Sequence, residues 1–330
     1  MTVALAAFAS LLVVAGRLGE IHWTSRPDFP PGPAAPPRVV DQDADGRLVE
    51  HMLGRTRVPL RPLRIVSLTI ATTDALLALG IQPLGAEAQW RADDFITPHR
   101  QALIGVPSLG FGSSLNLEDV ARLEPDLILC GRTAHARLYD KLSRIAPTVF
   151  LPVDLDGRNG GLLDVGVILG RVEDAERRLK WHQETLAAAR SRLRPVADQT
   201  VAVLRIRFRD VMIFNRLTKF GPLLFSDEGL RLRPDARMPE RTRGAWADSI
   251  DIESLSEVRT ERLFLLIDPD AAGSARSLFR TDCWRSLPAV RGGRLHVVDF
   301  GTWINGQGVL AAEAMVAELV ACCTSPVGGP

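Results

Sequence analysis

Apolar and polar positions along the chain form two series in which strands alternate with helices. The first begins with residues 64–68 (RIVSL), a β-branched apolar run, and continues with residues 73–79 (TDALLAL), which have helical spacing up to Gly80. The same pattern predicts strands at 83–86, 126–130 and 148–151, and helices at 117–123 and 138–145. This alternation predicts a mostly parallel sheet with helices on its faces.

A second series begins near Thr200 with the runs VAVLRIRF and VMIF. It continues through residues 252–258 and 262–267 (RLFLLI), and closes with residues 294–298 and a predicted helix over 309–320. The chain is therefore predicted to contain two α/β lobes, an N-terminal lobe at 48–158 and a C-terminal lobe at 198–323.

Residues 161–193 lie between the lobes, contain no Pro and are rich in Leu, Ala, Glu and Arg. They predict one continuous helix of about 45 to 50 Å. A stiff connector of this kind allows only small rocking movements of the lobes. The predicted fold class is α/β, with two Rossmann-like lobes of mostly parallel sheets joined by one long rigid α-helix.

The N-terminus has the pattern of an export signal. Residues 1–16 form a signal-like apolar segment whose uncharged run of 13, at 3–15, is too short for a bilayer core that needs about 20 residues. Val13 and Ala15 suit cleavage before Gly16, and residues 17–47 form a Pro-rich linker. We expect a periplasmic or other extracytoplasmic protein, with this segment either cleaved or kept as a membrane tether. The alternative is a buried N-terminal helix.

Composition narrows the function classes. The chain has 330 residues with 40 Lys and Arg against 39 Asp and Glu, a net charge of +1, so no positive field exists to hold nucleic acid. Its four cysteines show no metal-finger spacing. Cys130 is expected in a buried strand, and Cys283 could pair with Cys322 or Cys323 in an oxidising compartment.

Motifs of common catalytic devices are absent from the sequence. It contains no nucleophile elbow, phosphate-binding loop or zinc-protease helix, and the Gly-rich stretch 110–115 lacks the third Gly of a dinucleotide fingerprint. The six histidines are scattered singly, which disfavours a protein-ligated metal site. We predict a protein that is not an enzyme and has no cofactor; the competing enzyme class is a two-lobe α/β glycosyltransferase.

Several segments resemble the ferric-siderophore substrate-binding proteins of ABC importers. Residues 51–59 (HMLGRTRVP) followed by 62–68 (PLRIVSL) are similar to the opening of that family, and residues 284–294 (WRSLPAVRGGR) to a late segment. Shorter matches lie at 76–85, 116–118, 123–128 and 145–149, so the resemblance covers about residues 48 to 323. It implies a monomer that captures a ferric siderophore between two lobes and delivers it to an inner-membrane permease dimer. Cobalamin or haem is the alternative ligand, and a sensory or scaffolding relative is a further alternative.

Ligands of open α/β sheets lie beyond the carboxyl ends of the strands. In the N-terminal lobe this rule selects the residues that follow the strands: Thr69, Trp90, Arg91, Phe111 and Arg132. In the C-terminal lobe Arg205, Arg207 and Arg209 alternate along one predicted strand and so point to one face. This face is either a solvated edge of the sheet or part of the site, and the resemblance implies that Arg205 or Arg207 contacts the ligand. Trp246 and Trp303 lie between predicted elements and are expected to stack on the ligand or cap a hydrophobic edge.

The resemblance also implies one acidic docking residue on each lobe, paired with arginines of the two permease subunits. The matching positions are Glu118 and Glu253, each in the first turn of a predicted helix that precedes an apolar strand. The alternative is that each carboxylate only complements its helix dipole.

Overall fold

The computed structural model describes residues 36–89, 94–131, 133–151, 161–217, 220–239 and 247–324. The signal-like segment and most of the predicted linker lie outside these ranges. No helix of the described residues is both long and apolar enough to cross a membrane.

The described chain begins with a small antiparallel sheet in the order β1-β2-β3. Its strands are β1 (Arg38–Gln42), β2 (Arg47–His51) and β3 (Gly54–Val58). Strand β1 lies inside the segment predicted to be a linker, so that boundary was wrong. Every residue of β1 is exposed, so no buried face imposes the alternation that marks a strand in a sequence.

The N-terminal lobe is built on a four-stranded parallel sheet in the order β5-β4-β6-β7. The strands are β4 (Ile65–Ser67), β5 (Gly85–Ala86), β6 (Leu127–Cys130) and β7 (Thr148–Phe150). Helices α1 (Ile70–Ala78), α2 (Thr97–Arg100), α3 (Leu117–Arg122), α4 (Thr133–Ala136) and α5 (Tyr139–Ile145) connect them. All four strands are buried, which is why they read as continuous apolar runs.

The C-terminal lobe has a sheet in the order β11-β9-β8-β12-β13, with β10 beside the start of β8. Its strands are β8 (Thr200–Ile206), β9 (Val211–Phe214), β10 (Arg233–Pro234), β11 (Ala247–Ile250), β12 (Arg262–Ile267) and β13 (Leu295–Val297). Strands β8, β10, β11, β12 and β13 run in one direction, whereas β9 is antiparallel to both of its neighbours, β8 and β11. The strands joined by parallel pairing follow one arrangement in both lobes, β5-β4-β6-β7 and β10-β8-β12-β13, in which the first of these strands lies between the second and the third.

Two helices, α6 (Leu162–Leu169) and α7 (Val172–Leu193), replace the single helix predicted over 161–193. The break is at Gly170, whose φ of 67° is left-handed. Arg171 N–H donates to the carbonyl of Gly166 and Gly170 N–H to that of Val167, the hydrogen-bond pattern that ends a helix at glycine. Helix α7 carries the chain from the N-terminal lobe to the C-terminal lobe.

The ends of α7 pack in different cores. Ala175 lies in the core of the N-terminal lobe, and Leu186 and Leu193 lie in that of the C-terminal lobe. The predicted fold class, two α/β lobes joined by a long helix, is confirmed. The remaining helices are α8 (Gly221–Phe225), α9 (Ile252–Leu255), α10 (Ala272–Leu278), α11 (Asp282–Ser286), α12 (Pro288–Arg291) and α13 (Val309–Thr324).

The four cysteines are free thiols. Cys130 is buried in β6 as predicted, and burial raises the pKa of its thiol. Cys283 forms no disulfide with Cys322 or Cys323.

A buried histidine at the end of β2 is expected to make the stability of the protein sensitive to acid. His51 Nδ1 accepts the backbone N–H groups of Leu53 and Phe150 at 3.3 and 3.4 Å, while Nε2 lies 2.9 Å from the hydroxyl of Thr56. The ring is therefore held neutral, because a proton on Nδ1 would face two other donors. Burial lowers the pKa of His51 from 6.5 to about 4.

We expect the free energy of unfolding to fall as the pH drops from 6.5 towards 4, because only the unfolded chain binds a proton at His51 in that window. His51→Gln should be less stable than the wild type at neutral pH but should lose less stability on acidification. Denaturant titrations at neutral pH and at about pH 5 give the slope of the free energy of unfolding against pH for the wild type and for the variant. Equal slopes would show that His51 does not cause the acid sensitivity.

Candidate functional site

The loops that follow the parallel strands of the two lobes meet at the boundary between the lobes. Gln89, three residues beyond β5, accepts a hydrogen bond from the side-chain amide of Asn305 at 3.4 Å. Thr97 donates to Asp299 at 3.1 Å, and Asp299 follows β13. The carboxyl ends of both sheets therefore meet at this boundary between the lobes (the cleft), which is where ligands of open α/β sheets bind.

The Gly-rich loop places Phe111 at this edge. Gly110 and Gly112 have left-handed φ angles of 84° and 56°, which glycine adopts without a steric penalty. The Gly110 carbonyl accepts the N–H of Ala88 at 2.9 Å, and Gly112 N–H donates to buried Glu87 at 3.1 Å. These bonds fasten the loop beyond β5 and hold Phe111, which is half-buried, at the edge of the cleft.

Arg205 is held by a buried ion pair rather than presented to the cleft. Its Nε and Nη2 donate to the two carboxylate oxygens of Asp268 at 2.6 and 2.9 Å, and the ring of Phe300 lies 5.4 Å from its Cζ. Arg205 is 5% exposed and Asp268 3%. The prediction that Arg205 contacts the ligand is therefore corrected, because its guanidinium is bound within the protein.

The remaining arginines do not share a face with Arg205, because β8 ends at Ile206. Arg207 and Arg209 lie in the turn between β8 and β9 and are exposed. Arg207 lies 3.6 Å from Asp210, and the Arg209 guanidinium lies over the ring of Phe208 at 5.7 Å.

Phe208 is a surface residue that the sequence analysis missed. The residue is 62% exposed, and its carbonyl accepts a hydrogen bond from Ser274 at 2.7 Å. The turn 207–210 therefore presents an aromatic side chain, flanked in sequence by two exposed arginines, beyond the carboxyl end of β8. An aromatic residue between two arginines was the available signal, but Phe208 was assigned to the strand.

Two other predicted contacts are also corrected. Thr69 is fully buried, and its hydroxyl accepts the N–H of Thr72 at 3.0 Å as the N-cap of α1. Trp303 is 1% exposed and packs against Phe264, while its Nε1–H donates to Glu318 at 2.7 Å. Burial raises the pKa of Glu318. Trp303 belongs to the core, where its indole N–H has found a partner.

Four predicted ligand contacts lie outside the described residues: Trp90, Arg91, Arg132 and Trp246. Within the described ranges, no three or more His, Cys, Asp or Glu side chains are grouped to hold a metal ion.

Glu118 and Glu253 occupy equivalent places in the two lobes. Each is exposed and lies in the first turn of α3 or α9, behind the capping side chains of Asn116 and Asp251. Helix α3 leads into β6 and α9 into β12, the third strand of each arrangement. A helix that precedes a parallel strand begins at the carboxyl edge of the sheet. Both carboxylates therefore lie on the cleft side of the molecule.

Known proteins resemble this chain over most of its length. It is 30% identical over 275 residues to the achromobactin-binding periplasmic protein of Dickeya dadantii, covering 81% of this chain and 88% of that protein. It is 29% identical over 286 residues to the Fe(3+) dicitrate-binding periplasmic protein FecB of Escherichia coli, covering 86% and 92%.

A solved structure shows the same fold. Staphylococcus aureus SirA complexed with staphyloferrin B superposes with a TM-score of 0.70 at 22% identity, covering 85% of this chain and 99% of SirA. Residues 65–300 match the family described as periplasmic binding protein. These residues include the strands of both parallel sheets and the helix that joins the lobes, so the chain belongs to the periplasmic binding protein family.

Proposed function

We propose that this protein is an extracytoplasmic substrate-binding protein that captures a ferric siderophore between its lobes and delivers it to an ABC permease. The observation that carries the proposal is that the carboxyl ends of two sheets meet at one boundary between the lobes in a chain of this family. Relatives named for binding achromobactin and ferric dicitrate support an iron chelate as the cargo. The protein needs to recognise its ligand, without making or breaking bonds in it.

The turn 207–210 supports a ligand that carries carboxylates. Arg207 and Arg209 are exposed there, and a guanidinium fork matches a carboxylate with two parallel hydrogen bonds. Phe208 offers an apolar plane between them, and Phe111 lies at the edge of the other lobe. We therefore place the ligand between Phe111 and this turn, and keep Trp90, Arg91, Arg132 and Trp246 as proposed contacts.

Tryptophan fluorescence titration against a panel of ferric carboxylate, hydroxamate and catecholate siderophores, cobalamin and haemin tests this function. We expect a ferric carboxylate chelate to bind most tightly, because the arginine forks of the turn complement its anionic groups. Tighter binding of cobalamin or haemin would replace the siderophore assignment. Binding of none of them would favour a sensory or scaffolding relative and would contradict the proposal.

Variants of the turn identify the contacts. Arg207→Ala should weaken binding of the preferred chelate by about tenfold or more, and Phe208→Ala by a smaller factor, because the charged contact is the stronger one. Arg276→Ala provides a matched control, since Arg276 is an exposed arginine in the last turn of α10. Wild-type affinity in both turn variants would remove the turn from the site.

Glu118 and Glu253 are proposed as the docking residues for the two permease subunits. A two-fold-related partner requires equivalent charges on the two lobes, and these carboxylates begin equivalent helices on the cleft side. The bound ligand would then face the permease. The protein acts as a monomer, because each lobe supplies one docking group.

A further inference from the structure

The C-terminal helix α13 also crosses the boundary between the lobes. Its first residue, Val309, packs in the core of the N-terminal lobe, and Ala311 packs against Ile70 and Ile96 of that lobe. Further along, Val316 and Leu319 lie in the core of the C-terminal lobe. Helix α13 is therefore a second connection beside α7.

The start of α13 is capped by a side chain of the N-terminal lobe. Asp74, in α1, accepts the N–H of Leu310 on Oδ1 at 3.0 Å and that of Ala311 on Oδ2 at 2.9 Å. His99 Nε2 lies 2.9 Å from the same Oδ2. The cap thus comes from a residue more than 230 positions away in the chain, and it satisfies two first-turn N–H groups that the helix itself cannot pair.

The surroundings of Asp74 are shaped for its carboxylate. The residue is fully buried, and its charge lies at the N-terminus of α13, where the helix dipole favours an anion. Gly308 has a φ of 103°, and a Cβ there would lie 2.3 Å from Oδ1 of Asp74. Glycine at 308 therefore permits the close approach.

A second polar contact ties α13 to α7 further along both helices. Glu313 accepts two hydrogen bonds from Arg178, at 2.9 and 2.7 Å, and lies 2.9 Å from His182 Nδ1. Burial opposes the charge of Glu313, but the hydrogen bonds from His182 and Arg178 together hold its pKa below its ordinary value. The two crossing helices are therefore joined side by side.

We propose that Asp74 is a positioning residue that holds the C-terminal lobe against the N-terminal lobe through α13 and so sets the width of the cleft. The lobes are connected by two helices, and α13 is held at its start by this buried carboxylate. Where ligand binding is concerned, this inference rests on the proposed function. The role of Asp74 in holding the lobes together is a property of the free protein alone.

Asp74→Asn tests the clamp, because the amide keeps the size of the side chain but turns an N–H₂ group towards donors. Hydrogen exchange of the Leu310 and Ala311 amides should accelerate by about tenfold, as expected when a helix cap is lost. Exchange in β4 and β12 should stay at the wild-type rate, because each lobe keeps its core. Thr281→Ala is the matched control: it removes the cap of α11, which lies within one lobe.

Two further measurements separate positioning from local capping. In solution scattering, Asp74→Asn should have a larger radius of gyration than the wild type, whereas Thr281→Ala should not. Its affinity for the chelate chosen by the panel should fall through faster dissociation, although Asp74 is fully buried. Faster amide exchange with an unchanged radius of gyration and unchanged affinity would overturn the positioning role, as would unchanged exchange.

If Asp74→Asn does not fold, His99→Gln tests the positioning role of Asp74 instead. It removes only the imidazole beside Oδ2 and should show the same changes to a smaller degree; wild-type exchange and scattering in this variant would contradict the inference. If the wild type binds no chelate, the proposed function fails, while exchange and scattering still decide the role of Asp74.

Discussion

Reversing both docking charges, with Glu118→Arg and Glu253→Arg in one protein, is expected to abolish iron uptake through the cognate permease. In the proposed docking, each substitution would replace an attractive contact to a permease arginine with a repulsive one, and like-charge juxtaposition at an interface costs several kcal/mol. Affinity for the iron chelate should stay at the wild-type value, because each residue lies in the first turn of a surface helix. Uptake of radioactive iron in cells and fluorescence titration in vitro measure the two effects separately.

The matched control reverses two other exposed acids, Glu173 and Glu228. Glu173 lies at the start of α7, and the backbone carbonyl of Glu228 accepts a hydrogen bond from Arg190 near the end of α7. This control makes the same change in net charge and should retain transport. Normal uptake by the Glu118 and Glu253 double variant, at wild-type protein levels, would show that those acids serve only their helices.

Among the substitutions considered for this protein, removal of Asp268, the partner of Arg205, is expected to lower the free energy of unfolding most. Asp268→Ala would leave a guanidinium that is 5% exposed without its carboxylate, and breaking a buried ion pair costs about 3 to 5 kcal/mol. Replacing both partners, with Arg205→Met and Asp268→Leu, should recover most of this loss because no charge remains buried. Denaturant titration gives the free energy of unfolding of each variant.

An exposed pair of the same lobe provides the comparison. Arg237 and Glu257 lie 2.9 Å apart with side chains that are 45% and 57% exposed, and an exposed ion pair contributes about 0 to 1 kcal/mol. Glu257→Ala should therefore change the free energy of unfolding little. If Asp268→Ala lowered the free energy of unfolding no more than Glu257→Ala does, the buried ion pair would not be what stabilises the carboxyl end of β8.

Regular elements were predictable where burial imposes a pattern. Residues 262–267 (RLFLLI) were predicted as a strand and form β12, because a strand buried on both faces reads as a continuous apolar run. The helix end at Gly170 could also have been read, since glycine commonly ends a helix in the left-handed conformation. The exposed strand β1 could not, because no core face constrains its side chains.

The candidate site was predictable as a region but not residue by residue. The rule that ligands lie beyond the carboxyl ends of strands selected Phe111, while the resemblance selected the arginines near the end of β8. Neither could separate buried Arg205 from exposed Arg207, since the difference depends on Asp268, which lies 63 positions further along the chain. The two interpretations of Trp303 could not be separated for the same reason, as its packing partner Phe264 belongs to a distant strand.

By itself the sequence determined two α/β lobes, a long connecting helix and the family of the protein, because these depend on local periodicity and on segments that are contiguous in the chain. Only the tertiary structure decided which polar side chains form buried hydrogen bonds within and between the lobes and which remain at the surface. Asp74 reads as an ordinary acid inside α1, yet it caps a helix more than 230 residues away. Hydrogen bonds and burial depend on distance in space, and residues distant in the chain become neighbours only once both lobes have folded.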